Sequence, residues 1–304
     1  MNIVTPFHNN LTWPVFFRVG TACVLLASML SLWPDYTFLY GAEGMADREL
    51  FQLQQPSLFR YLPVVHGGVW QPLVYMALCL LLACGIFTRG IAVALLLFHG
   101  YLFTGTYAAF SYGIDYIASS CLFYCAMLPP RPSQRSASSL HYLRFLQIYV
   151  CIIYFFAGLG KVMGPTWHNG EALWKAVSQP GFESVFKPDL LFLGSYPLLW
   201  TMGGWVVVIL ELGYSLFIWF KGTRAYWLAA MLALHTGIAL FMGLYSFSAL
   251  MVVLNLAAFY MPYRPVANFK QSNKRSIHSF PDATRSSETP IGVPPPETAS
   301  TTDV

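Results

Sequence analysis

The stretch from Ile148 to Gly170, IYVCIIYFFAGLGKVMGPTWHNG, concentrates more chemistry than any other part of the chain. An apolar helix runs to a single lysine, Lys161, and a Gly-Pro break, Trp167 and Gly170 follow. An ammonium at the membrane end of such a helix is costly to desolvate, and an amine relieved of its proton there is a base. The competing reading is a lysine whose stem lies along apolar surface while its head reaches the headgroup layer. Five more ionisable residues fall inside apolar runs: Arg18, His99, Asp115, Glu211 and His235. Ionisable groups at membrane depth are expensive to bury, which makes each a functional candidate. Lys161, Asp115 and His235 are the candidates for proton chemistry; Glu211, Arg18, Trp167 and His99 are the candidates for binding. Each also has a purely structural role open to it. Arg18 and Glu211 can pair and hold helices together, Asp115 can cap a helix that starts at Tyr112-Gly113-Ile114, and either histidine can bridge helices by hydrogen bonds. No H-x-x-H, H-E-x-x-H or D-x-D spacing occurs, so no metal site is expected.

The elements that must position these groups follow from composition. The chain has 304 residues, 56% hydrophobic and only 10% charged, against about 25% charged in soluble domains. Several apolar runs approach the roughly 20 residues that cross a bilayer as a helix. An all-α integral membrane protein is expected, with residues 11–263 as the multi-span domain. Residues 264–304 are rich in Ser, Thr, Pro and Lys/Arg, and such a tail cannot bury a core and is expected to be disordered. The net charge of +4 comes without a basic patch interleaved with aromatics, so no nucleic-acid partner is expected. All six cysteines lie in apolar runs; Cys121 and Cys125 share a helix face, and small buried hydrophobes are the expected role. The first apolar run lacks a basic leader and a small-residue cleavage site, so it is read as a retained helix.

About eight spans are expected, near 14–32, 70–87, 90–108, 112–128, 144–160, 198–220, 225–243 and 245–260. Lys and Arg set their orientation. Arg89, the Arg131–Arg135–Arg144 group, Lys221 with Arg224, and Arg264 onward all fall on one side if both termini are cytoplasmic. The two long loops then face outward, each with an interfacial helix, near 47–58 and 170–177. Thr88-Arg89-Gly90 opens a helix carrying His99, and Thr223-Arg224-Ala225 opens one carrying His235. This echo points to two parallel four-helix repeats, an arrangement that in transporters builds a site between halves.

Tyr154-Phe155-Phe156-Ala157-Gly158-Leu159-Gly160-Lys161, with Trp167 and Gly170, resembles the membrane domain of vitamin K-dependent gamma-carboxylases. That domain is shared with a broad bacterial group, the HTTM (horizontally transferred transmembrane) proteins. Glu211 in an L-E-L-G-Y run, Leu234-His235-Thr236-Gly237, the turn Met242-Gly243-Leu244-Tyr245-Ser246-Phe247, and Arg18 in the first span are similar to features of the same group. The likeness covers nearly the whole membrane part. It implies an eight-span domain in the cell (inner) membrane, with Lys161 as the base that deprotonates vitamin K hydroquinone or a similar quinol. Two differences stand out. Where the carboxylases place a histidine in an N-N-H run, this chain has Tyr112-Gly113-Ile114-Asp115-Tyr116, and a short polar tail replaces their soluble peptide-binding domain.

Two functions of different class therefore follow as expectations. One is carboxylase-like lyase or oxygenase chemistry, with Lys161 as base, Asp115 or His235 orienting the substrate, and a quinone-like lipid or peptide as partner in the bilayer. The other is a non-catalytic membrane factor for maturation or export of a secreted peptide. The repeat alone suggests a third, a transporter-like protein. A polar cavity near the outer leaflet, lined by Lys161, Asp115, Glu211 and His235, is the expected site.

Overall fold

The computed structural model describes residues 12–41, 68–104, 112–128, 137–178 and 191–263. The chain divides into two units, residues 1–265 and 266–304, and the expected tail, like the expected helix near 47–58, lies outside the described residues. Eleven α-helices make up the described part: α1 (Thr12–Leu32), α2 (Tyr36–Tyr40), α3 (Trp70–Cys84), α4 (Thr88–His99), α5 (Gly113–Met127), α6 (Ala137–Met163), α7 (Pro165–His168), α8 (Glu171–Ser178), α9 (Pro197–Phe217), α10 (Arg224–Met242) and α11 (Tyr245–Asn255). Wider π turns extend α4 over Gly100–Thr104 and α11 over Leu256–Tyr260.

Among the described residues, five helices are long and apolar enough to cross a membrane: α1 with α2, α6, α9, α10, and α11 with its extension. Three more are apolar but shorter: α3 and α5 have 15 residues each, and α4 with its π turn runs from Thr88 to Phe103. The all-α membrane class stands at this level. The boundaries follow local chemistry. Gly164 and Pro165 end α6 and start α7, because proline lacks the N–H a helix interior needs but suits the first turn. The helix at 171–178 matches the segment expected near 170–177.

Exterior and interior are partitioned as lipid demands. Large apolar side chains such as Leu30, Leu97, Phe156, Leu198, Met202, Ile209 and Leu216 are exposed, whereas Thr21, Gln71, His99, Gln147, Glu211, His235 and Asn255 are buried. With no water in the hydrocarbon, polar groups gain only by facing one another. Half of the α11 span is buried, against 17 to 33% for the other four long spans. That difference puts α11 at the centre, against α1, α5 and α10.

The helix pair that positions Lys161 is α6 against α9, and they run antiparallel. Cys151 accepts a hydrogen bond from Ser215 Oγ, and Gly158 lies against Leu212. Along α6, Gln147, Cys151, Tyr154, Gly158 and Lys161 recur at alternating steps of four and three, as do Gly204, Val208, Glu211 and Ser215 on α9. That spacing keeps one stripe facing its partner. A Cβ on Gly158 would come within 2.8 Å of Leu212 Cγ and 3.1 Å of its backbone nitrogen, so the helices can be this close only because residue 158 lacks a side chain.

Two glycines on the same helix therefore respond oppositely to alanine. Gly158→Ala forces the helices apart at a cost of about 1–3 kcal/mol, more than the ~1 kcal/mol by which alanine favours a helix over glycine. Gly160 has open space around its Cβ position. Thermal midpoints in detergent micelles are expected to fall for Gly158→Ala and to hold or rise for Gly160→Ala.

Candidate functional site

Helical side chains lean toward the N-terminus of their own helix. On antiparallel helices these leans oppose each other. Lys161, in the last turn of α6, therefore leans back into the bundle, while Glu211 leans toward the end of α9 that neighbours it. The two meet: Lys161 Nζ donates to Glu211 Oε1 at 2.9 Å and to Oε2 at 2.6 Å. Only 20% of the lysine side chain and 9% of the glutamate side chain are exposed. The lysine is thus turned onto a carboxylate and does not reach for a headgroup. Its Nζ also lies 5.1 Å from the centre of the Trp167 ring, within the range at which an indole face attracts a cation. Trp167 is carried there by the Gly164–Pro165 break, and its carbonyl packs against Gly204 of α9.

Beneath this pair lies a hydrogen-bond relay whose direction can be derived. Asn255 Nδ2 donates to the Met251 carbonyl at 2.7 Å, which fixes the amide orientation, because a carbonyl can only accept. The same Nδ2 donates to Tyr154 Oη at 2.6 Å, and Asn255 Oδ1 accepts from Tyr214 Oη at 2.6 Å. Having accepted from Asn255, the Tyr154 hydroxyl gives its own proton to His235 Nε2, 2.8 Å away. His235 then carries its proton on Nδ1, and that buried nitrogen has no hydrogen-bond partner among the described residues. His235 is only 3% exposed and lies within electrostatic reach of Lys161. The site therefore combines a paired lysine with an unmet N–H donor.

The other candidates sit elsewhere. His99 accepts from Tyr75 Oη at Nδ1 (2.8 Å) and faces the Asp115 backbone carbonyl from Nε2 (3.2 Å). The carbonyl requires a proton on Nε2, so the Tyr75 hydroxyl must be the donor at Nδ1. The Asp115 carboxylate accepts from the Tyr112 backbone N–H at 2.8 Å and closes a capping box at the start of α5. Asp115 and His99 line a cavity whose lining residues include neither Lys161, Glu211 nor His235. The expected single cavity is thus resolved into two places. Lys161, Glu211, Trp167 and His235 come together; Asp115 and His99 form a second group.

Arg18 does not pair with Glu211. Glu211, the carboxylate open to it as a structural partner, is held by Lys161, and the guanidinium lies against Gly85 instead. A Cβ at Gly85 would come within 2.8 Å of it, and Gly85 has φ +81° as the cap of α3. Arg18 Nε is buried without a hydrogen-bond partner. Two arginines read only as orientation signals serve helix ends: Arg89 donates to the Leu128 carbonyl, and Arg224 to those of Ile218 and Trp219, where cations suit the negative end of the helix dipole. On α8, outside the spans, Lys175 lies 2.6 Å from Glu171 and holds that carboxyl below its usual value.

Tyr154, Tyr214 and Asn255 are hydrogen-bonded neighbours of the candidate site that the sequence did not single out. The signal was present in part: Tyr154 stands seven residues before Lys161, two turns away on the same face, and Asn255 is a lone amide in an apolar run.

Removing one partner of a buried ion pair leaves the other charge uncompensated, at a cost of about 3–5 kcal/mol. Lys161→Met is expected to destabilise the chain by that order, and Lys161→Met with Glu211→Leu to recover most of the loss, as read by chemical denaturation in micelles. Histidine ¹⁵N NMR is expected to show the Nδ1–H tautomer at His235 and the Nε2–H tautomer at His99; an Nε2–H signal from His235 would break the relay. Compared with family models, curated proteins and solved structures, the chain gives no match.

Proposed function

We propose that this chain is an eight-span membrane protein of the HTTM group in which Lys161 acts as general base on a quinol-like, lipid-soluble substrate. The observation that carries the reading is the doubly hydrogen-bonded Lys161–Glu211 pair, set between apolar helices beside an indole. A proton can pass from Lys161 to Glu211 along the 2.6 Å bond. That step converts two charges into a neutral amine and a neutral acid. The amine then takes the hydroxyl proton of the substrate, and the resulting ammonium holds the negative oxygen. His235 Nδ1–H, an unmet donor nearby, suits the second oxygen of a quinol. Asp115 takes no part in this scheme, since it lines the separate cavity beside His99. A vitamin K hydroquinone-like molecule fits this donor set, and its own redox chemistry would supply any step beyond deprotonation.

Eight spans require the three shorter helices to cross as well. The recurrence of neighbour pairings supports two four-helix halves: α1 with α3, α3 with α4 and α4 with α5 in one, α6 with α9, α9 with α10 and α10 with α11 in the other. Cytoplasmic termini agree with the grouping of Arg144 and Arg224 around Trp219 and Tyr263 at one end. The non-catalytic reading, a maturation or export factor, draws on the same pair acting only as a clamp between α6 and α9.

Lys161→Arg separates these readings, because arginine keeps a bidentate pair with the carboxylate but does not release its proton. The full chain in lipid nanodiscs, given vitamin K hydroquinone in air, is expected to consume the quinol faster than empty nanodiscs. Lys161→Arg is expected to lower that excess rate about 100-fold or more with the fold intact. Wild-type protein no faster than empty discs, or an arginine variant at the wild-type rate, would leave the clamp as the role of the pair.

A further inference from the structure

The cavity around Tyr75 and His99 has a volume of about 420 Å³, inside the roughly 300–1,000 Å³ range of small-molecule sites. Its floor is apolar, with Leu25, Met29, Leu32, Leu39, Phe103 and Ile114. Two carboxylates, Asp35 and Asp115, line it, and neither lysine nor arginine is among its described lining residues. Tyr40 and Tyr112 also line it.

The hydrogen bonds on its wall sharpen this asymmetry. The Tyr75 proton is committed to His99 Nδ1, and the His99 Nε2 proton to the Asp115 carbonyl. Tyr75 therefore offers the cavity an acceptor oxygen and no donor. Asp115 spends one oxygen on the cap, Oδ2 to the Tyr112 N–H, and retains Oδ1. Ser28, Ser31 and Ser246 add hydroxyls that donate or accept, so the two carboxylates set the charge of the lining. Negative charge over an apolar floor selects a ligand that is apolar at one end and donates from a cationic head at the other.

We propose that this cavity binds a small organic ammonium, a primary amine on a compact apolar or aromatic body, with the ammonium between Asp35 and Asp115. The site is separate from the Lys161–Glu211 pair and does not rest on the quinol reading. An uncharged alcohol of the same shape would keep the floor contacts and lose the charge-assisted bonds; a carboxylate of the same shape would be repelled.

The test uses the full-length protein in phosphatidylcholine nanodiscs, with tritiated phenethylamine as probe and empty nanodiscs subtracted. Saturable binding is expected, displaced by unlabelled phenethylamine and not by phenethyl alcohol or phenylacetate at equal concentration. Asp35→Asn with Asp115→Asn is expected to weaken binding about tenfold or more; asparagine at 115 can still cap α5 through its side-chain oxygen. Met29→Trp, which fills the floor, is expected to abolish binding, and the thermal midpoint of each variant reports whether it folds. Absence of saturable binding to the wild type, equal displacement by the alcohol, or unchanged affinity in a folded double-asparagine variant would overturn the proposal. The alcohol comparison uses only wild-type protein, so it decides the matter even where a variant does not fold.

Discussion

A lysine and a glutamate facing each other across two apolar helices cannot be parted cheaply. Each alone would be a bare charge in a low-dielectric interior, and together they are two short hydrogen bonds. Much of the surrounding geometry serves that meeting. Gly158 lets α6 and α9 approach within one side-chain layer, and the opposed lean of side chains on antiparallel helices aims the two groups at each other. The Gly-Pro break after α6 returns Trp167 over the ammonium. A small residue, a chain reversal and a charge pair thus form one arrangement.

The two histidines show how a helix bundle disposes of polar groups. Each takes a hydroxyl proton from a tyrosine, His99 from Tyr75 and His235 from Tyr154. They differ at the other nitrogen. His99 finds a backbone carbonyl, which satisfies it and makes it a bridge between α3 and α5. His235 finds nothing among the described residues, at a position where an unpaired donor costs free energy. One imidazole completes a wall and the other is left with bonding capacity within electrostatic reach of a paired lysine. That contrast cannot be seen in two histidines that occupy echoing positions in the sequence.

What the sequence made legible was local. Apolar runs located the helices because lipid tolerates little else, and the long helix to Lys161, the short helix after Gly170 and the buried standing of Glu211, His99 and His235 could all be read from one-dimensional spacing. Partnership was another matter. Lys161 and Glu211 stand 50 residues apart, and which of two cations, Arg18 or Lys161, reaches the carboxylate depends on the register of α6 against α9. The same holds for Asp115, whose carboxylate turns back to its own helix cap, and for Tyr154, which reads as one more aromatic until its hydroxyl is seen between Asn255 and His235. The three helices shorter than a bilayer also show the limit of counting hydrophobic residues: the runs continue, but the regular helix stops at Cys84 and Met127.

The account depends on the amine of Lys161 lying in contact with the Glu211 carboxylate within the bundle. Solid-state NMR on the full chain in lipid bilayers, with ¹⁵N-lysine and ¹³C-carboxyl glutamate labels, measures that contact directly. A strong dipolar coupling between Lys161 Nζ and Glu211 Cδ, absent in Glu211→Gln labelled only at glutamate, is the result expected from N–O distances of 2.6 and 2.9 Å. A Lys161 signal with no such coupling, exchanging freely with bulk water, would contradict it.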